Sequence, residues 1–479
     1  MASSNHLAAT LDAIVLGSGP NGLAAAIVIA QTGRKVLLFE AEPGLGGGVR
    51  SAELTLPGFI HDVCSAVHPL AVVSPVFRTM PLAAHGLEWI TPPVMLAHPF
   101  DGAFAALVHR SIAETAIGFG ADAQAYTRLM EPIVSNWLRI EPSVLGPLRP
   151  PAHPLALARF GMYALRSAEG LARRTFATET AQAVFGGIAA HGMLPLDQLM
   201  TAGVALVLGA MTHVAGWVLP RGGAQKLTDA LAAHFRSLGG EIVAGTRVTS
   251  VDDLPPARAV LCDLSPKPLL RIAGHRFPLW YRRKLERYRY GMGVFKVDWA
   301  LDAPIPWSAV SCAEAATVHL GGHLAEIAQS ERDAWSGRPA ERPFVLLSQP
   351  TLFDPSRAPN GKHIAWAYCH VPHGSEVDML PRIEQQIERF APGFRERVLA
   401  RSVMRPSDLE RHNANLVGGD IAAGVTDIRQ FFTRPTRHTY STPVRGLYIC
   451  SASTPPGVGV HGMCGYFAAQ RALNEVLKD

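Results

Sequence analysis

The chain has 479 residues, 48% of them hydrophobic and 17% charged, with a formal net charge of +5. That length exceeds one simple core, so two domains are expected, and the composition excludes a disordered protein. The small charge, with no basic run interleaved with aromatics, excludes a nucleic-acid role. Cys64, Cys262, Cys312, Cys369, Cys450 and Cys464 are scattered and form no C-x-x-C, so neither a zinc site nor a dithiol centre is supported.

The first six residues, Met-Ala-Ser-Ser-Asn-His, lack a basic region leading into an apolar core, so no signal peptide is read and a cytoplasmic, reduced protein is expected. Residues 14–16 read as a buried strand. Gly17-Ser-Gly19-Pro20-Asn21-Gly22 reads as the turn into a helix over 24–30, which Gly33 ends. Gly17 allows the tight turn, Gly19 lets the backbone approach a pyrophosphate, and Gly22 lets the helix pack against the strand. The helix N-terminus then offers free N–H groups and a positive dipole end to phosphates. Residues 35–40 form the second strand. Glu40, followed by Ala41, comes where a carboxylate accepts bonds from ribose hydroxyls, and a carboxylate there disfavours a 2′-phosphate and hence NADP. This fingerprint alone does not separate FAD from NAD. Gly46, Gly47 and Arg50 fall in the next loop, where Arg50 either pairs with a pyrophosphate oxygen or forms a surface ion pair.

Residues 81–217 read as helical, with breaks at Pro147, Pro150, Pro151 and Pro154. Within them, 155–176 is apolar but carries Arg159, Arg166, Arg173 and Arg174. It reads as a domain helix with a solvated arginine face, with docking to a membrane surface as the alternative. The apolar run 202–211 is too short to span a bilayer. His213 follows it, and either lines a cavity or ends a core helix. Pro220-Arg221-Gly222-Gly223 precedes a helix over 225–238, a strand over 241–251 and an apolar strand over 259–263. Strand-like runs at 294–299, 344–348 and 363–370 suit an antiparallel sheet under a helical cap.

At the far end, 445–450 reads as a short strand, followed by a turn rich in glycine and by a helix over 466–477. The turn contributes Ser451, Ser453, Gly459, Val460, His461 and Gly462. This is a second strand–turn–helix arrangement that presents backbone donors. Two such sites at opposite ends of a chain suit a long cofactor: FAD lays its ADP half on the first and its isoalloxazine on the second, whereas NAD has no use for the second. A helix dipole keeps the His461 imidazole neutral, so it serves as base or substrate-orienting group, or else caps the turn. Cys464 reads as a small buried core residue rather than a link to flavin. No metal-ligand spacing stands out. The expected fold is α/β. A Rossmann-type FAD-binding domain is assembled from 1–80, 218–290 and 435–479. A mixed α+β substrate domain with a helical cap is built from 81–217 and 291–434.

These motifs, together with Leu45-Gly46-Gly47 through Ser51, Pro57-Gly-Phe59, Asp62, the 295–302 run Phe-Lys-Val-Asp-Trp-Ala-Leu-Asp, the 317–322 run and Val460-His-Gly-Met-Cys-Gly465, resemble the FAD-dependent phytoene-desaturase-like oxidoreductases. Those belong with the flavin amine oxidases. The nearest likeness is to the pyridine nucleotide-disulfide oxidoreductase domain-containing protein 2 branch, over nearly the whole chain. One departure is Ser451, where the wider clan often has Gly. The resemblance implies a two-domain flavoprotein with non-covalent FAD, its flavin face lining a largely apolar cavity beneath the second domain. It also implies that Val248 meets the adenine through its backbone. The implied substrate is hydrophobic, polyene- or lipid-like. Outside the two glycine turns already read there is no further Gly-x-Gly-x-x-Gly for a nicotinamide, so oxygen, a quinone or the substrate itself remains open as the electron partner. Homo-oligomers are compatible with the sequence.

Three activities fit. The first is a dehydrogenase or desaturase passing a hydride to flavin. The second is a saturase or redox-neutral isomerase using reduced flavin, and the third is a flavin-fold binding protein with little turnover. The proposed catalytic residues are His461 and His213, and hydride transfer to flavin itself needs only an apolar site and close placement.

Overall fold

The computed structural model describes residues 11–478, so the amino-terminal stretch read for a signal peptide lies outside the described residues. Five parallel strands form one sheet, in the order Leu447–Ile449, Ala257–Cys262, Leu11–Leu16, Val36–Phe39, Glu241–Val243. Its strands come from three separated stretches of chain, with the first strand in the centre. The helix Pro20–Ala30 follows that strand and is buried from Asn21 to Ala30, which explains why it carries almost no polar residue. It packs against Met463–Glu475 and Gln225–Ser237. The other face of the sheet is covered by Pro266–Ala273 and Leu279–Glu286 through Leu269, Ile272, Tyr281 and Leu285.

A second sheet of seven strands runs Val398–Met404, Gly293–Leu301, His363–Val371, Val345–Ser348, Thr317–Leu320, Leu96–Pro99, Ala105–Val108. It is antiparallel except where Thr317–Leu320 meets Leu96–Pro99 in parallel, so it is mixed rather than purely antiparallel. The last two strands correct the helical reading of 81–217. Leu96–Pro99 is buried at all four positions, and a strand buried on both faces shows no alternation to read. Gly293–Leu301 is buried at all nine positions. Behind it, Ile383, Ile387 and Phe390 of the helix Leu380–Phe390 pack with Trp299 and Phe394.

Two further readings change. The strand expected over 241–251 ends at Val243, because Gly245 turns at φ +68° and the chain beyond runs unpaired beside Glu40, with the Thr246 N–H on the Glu40 carbonyl at 2.9 Å. The 155–176 stretch is two helices, Pro154–Ala164 and Ala168–Thr175, the second capped by Ser167 accepting from the Gly170 N–H. With Thr201–Val214 they form a helical layer, the cap, whose side chains share a cavity with those of the second sheet. Among the described residues, no helix is long and apolar enough to cross a membrane.

Candidate active site

The first glycine turn is built without room for side chains. Gly17 sits at φ +101°, and a Cβ on Gly22 would lie 2.0 Å from the Gly17 carbonyl oxygen. A Cβ on Gly19 would lie 2.6 Å from Asp263 Oδ2. Asp263 follows the strand Ala257–Cys262, parallel neighbour of the first strand, and its Oδ2 accepts the Gly22 N–H at 3.0 Å. Burial, with Glu40 adding like charge, pushes the Asp263 carboxyl up to about 7. Glu40 closes the second strand. It accepts the N–H and hydroxyl of Ser18 at 2.9 and 2.5 Å, and Arg50 approaches it at 3.6 Å. The Glu40 carboxylate is thus aimed at the turn by the first residues of the loop it faces.

The second turn lies on the neighbouring outer strand and closes on the same helix. Gly465 packs directly on the first helix: a Cβ there would sit 1.8 Å from the Asn21 carbonyl oxygen. His461 is buried, and its Nδ1 accepts the Met463 N–H at 3.0 Å while the Ser74 hydroxyl donates to its carbonyl. Burial pushes the imidazole down to about 4, against an opposing pull from the carbonyls of Gly457 and Val458. Both ring nitrogens therefore serve the turn's own backbone. Cys464 is buried with Sγ facing the Thr454 and Gly457 carbonyls, and burial pushes the thiol up to about 12, which keeps it protonated and unreactive.

One cavity of about 1250 Å³ joins both turns. Its lining includes Gly17, Gly19 and Glu40, then Arg50, His412 and Asn413, Ser451 and 458–461, and a group of apolar side chains that form a vault. Leu145, Leu157, Phe160, Val204, Val207 and Trp217 of the cap wall that vault, facing Val294, Leu346, Trp366 and Tyr368 of the second sheet. Lys296 also lines it. Lys296 and Asp298 are two apart on one strand and so share a face, where the buried ammonium donates to the Asp298 carboxylate. Burial pushes Asp298 up to about 6, partly offset by Lys296, and the Lys296 ammonium lies 5.7 Å from the Trp366 ring centroid.

Of the sequence-derived residues, Gly17, Gly19, Pro20, Asn21, Glu40, Ala41, Gly47, Arg50, Val248, Ser451, Gly459, Val460 and His461 line this cavity. Val248 does so from unpaired chain, not from a strand. Gly22, Gly46, Ser453 and Gly462 stand behind it. The Gly46 N–H bonds the Ser18 hydroxyl, the Ser453 hydroxyl bonds the Ala423 carbonyl, and Gly462 at φ +68° packs on Phe77 and Ala24. His213 is off the cavity wall. Its ring is held by the Tyr126 hydroxyl at 2.6 Å and the Arg110 carbonyl at 3.0 Å, which makes it a core group of the cap. Lys296, Asp263 and Arg434 were not read from sequence. An isolated lysine inside an apolar strand was the available signal for the first.

The residues fit a long anionic cofactor. Arg50 and Arg434 both line the cavity, and each keeps a buried guanidinium nitrogen without a hydrogen-bond partner, as does the side-chain oxygen of Asn21. A glycine turn, a carboxylate after the second strand and partnerless guanidinium nitrogens together fit a dinucleotide-binding site. Residues 15–80 match the NAD(P)-binding Rossmann-like domain. Over 97% of this chain and 94% of the relative, the sequence is 26% identical to the pyridine nucleotide-disulfide oxidoreductase domain-containing protein 2 of Rattus norvegicus. It is 26% identical to the neurosporene-forming phytoene desaturase of Rhodobacter capsulatus over 51% of each chain. The fold superposes on putrescine oxidase with a TM-score of 0.62 at 16% identity, covering 97% of this chain and 98% of that one. The chain is thus similar in sequence to oxidoreductases that include the phytoene desaturases, and it shares its fold with amine oxidases.

Proposed function

We propose that the protein holds FAD non-covalently and uses it to dehydrogenate a hydrophobic, polyene- or lipid-like molecule. The single observation that carries this reading is the continuous cavity: its lining joins the glycine turn to a vault of leucine, valine and aromatic side chains. When bound, FAD would supply a two-electron acceptor for a hydride leaving a C–H bond. The chain's residues do the rest. The first turn and Glu40 hold the ADP half, and Arg50 and Arg434 offer their unpaired nitrogens to its phosphates or to the ring oxygens. The vault excludes water and orients the apolar chain. Lys296 lines the vault and its ammonium donates to the buried Asp298 carboxylate behind it, so a proton lost from the neighbouring carbon would pass by way of Lys296 to that carboxylate. His461 holds the second turn in place of the expected role as base. Cys464, protonated and bonded to backbone, supports a cofactor held without a covalent link.

Anaerobic mixing of the flavin-loaded protein with polyenes and long-chain acyl compounds tests the reading. Bleaching of the visible flavin band on mixing supports dehydrogenation. Turnover only after prior reduction of the flavin assigns saturation or isomerisation instead. No change in either state, with bound compound detected, assigns a binding protein and overturns the proposal.

A further inference from the structure

The helix Pro154–Ala164 has two apolar faces. Its inner face, Leu157, Phe160, Gly161 and Ala164, walls the cavity. The outer face of a surface helix is ordinarily polar. Here Leu155 is 86% exposed and Met162 61%, and they are continued by exposed Leu148, Leu165 and Leu199. Leu199 adjoins them because the Met200 N–H bonds the Leu165 carbonyl. Interleaved with these are Arg149, Arg159 and Arg166, all exposed and without a salt bridge among the described residues. No acidic residue occurs between Pro142 and Ala168. The flanking Glu141 and Glu169 are already committed, to Arg78 and to Arg173 with Arg332. Leu148, Arg149 and Leu165 belong to both surfaces, lining the cavity and facing outward, so a rim of the cavity lies within this patch.

We propose that this face docks on an anionic phospholipid bilayer, with Leu155 and Met162 inserted among the acyl chains and Arg159 and Arg166 on lipid phosphates. Charge complementarity decides the occupant. An acid-free apolar face with only cations among its charges suits a negatively charged lipid surface, and it would set like charges against each other across a two-fold contact between copies. The seated rim would open the vault to the hydrocarbon layer, so an apolar substrate would reach the cavity without crossing water. The surface extends the functional reading but is tested apart from it, because binding is read without turnover.

Flavin-loaded protein is floated with vesicles of phosphatidylcholine alone or with phosphatidylglycerol, at low and high salt. The expected result is flotation with the phosphatidylglycerol vesicles, weakened by salt. Leu155→Gln/Met162→Gln and Arg159→Gln/Arg166→Gln should each cut binding about 10- to 30-fold, with flavin content and Tm unchanged. A wild-type protein that stays unbound to both vesicles overturns the proposal, as do variants that float like it. A dimer in light scattering that the Leu155→Gln/Met162→Gln change splits, with no vesicle binding, assigns the face to a second copy and likewise overturns it.

Discussion

Asp263 is the residue whose environment is most at odds with its ordinary chemistry. A buried carboxyl raised to about 7 is neutral more easily in the folded state than in the unfolded chain, where it titrates near ~3.9. The folded state therefore binds the extra proton. The stability this group contributes is fully present below about 4 and is lost as pH rises through about 7. Melting of the flavin-free protein across that window should show Tm falling with pH, and Asp263→Asn should flatten the slope. The same carboxylate sits on the turn where a pyrophosphate would lie, so flavin affinity should be greater at pH 6 than at pH 8 in the parent and independent of pH in the variant. His461 yields a second test at this scale. Because Nδ1 accepts the Met463 N–H, His461→Ala should lower flavin content and Tm together, while the remaining flavin is reduced at a near-normal rate. A reduction rate down about 100-fold at full flavin content would instead restore His461 as the base.

Among elements, the closest contact is between the first helix and the last. Gly465 lets their backbones meet, and a methyl group there must displace the Asn21 carbonyl by more than an ångström. Gly465→Ala should cost about 3 kcal/mol in denaturant unfolding and release the flavin. Gly33→Ala provides a control, since nothing lies within 4 Å of a Cβ there and only its positive φ resists substitution. Contacts of this kind also mark what a reader of the sequence can and cannot see. Gly17, Gly19, Gly22 and Glu40 are legible because a strand, a turn and a helix fix them within about 25 residues of local geometry. Asp263, Lys296 and Arg434 are not, because only contacts far along the chain, strand pairing for the first two and the Ala422 and Ala423 carbonyls for Arg434, bring them to the cavity. The strands Leu96–Pro99 and Ala105–Val108 escaped because they are short, and with all four positions of the first and three of the second buried they carry no clear period. Val248, assigned from the resemblance, does line the cavity, but from chain beyond Gly245 that belongs to no strand.

For the whole molecule, the proposed function implies that cofactor and substrate would share one cavity, each at its own end. The two ends should therefore be separable by mutation. Gly161 lines the vault, lies in a helix and has nothing within 4 Å of a Cβ, so a side chain can start there without a clash and Gly161→Phe should take up vault volume. Full flavin content and unchanged or raised Tm should accompany loss of reduction by apolar substrates. Flavin loss in that variant would mean that the vault and the dinucleotide end are not independent. The most direct test of the shared cavity is the flavin content of the purified protein. A visible spectrum is recorded before and after denaturation, for the parent and for Gly19→Val. The account predicts one FAD per chain, released intact by denaturation, in the parent, and none in the variant, whose side chain would fill the space beside Asp263. A colourless parent that cannot be reconstituted with FAD, or a Gly19→Val protein that keeps its full flavin, would contradict it.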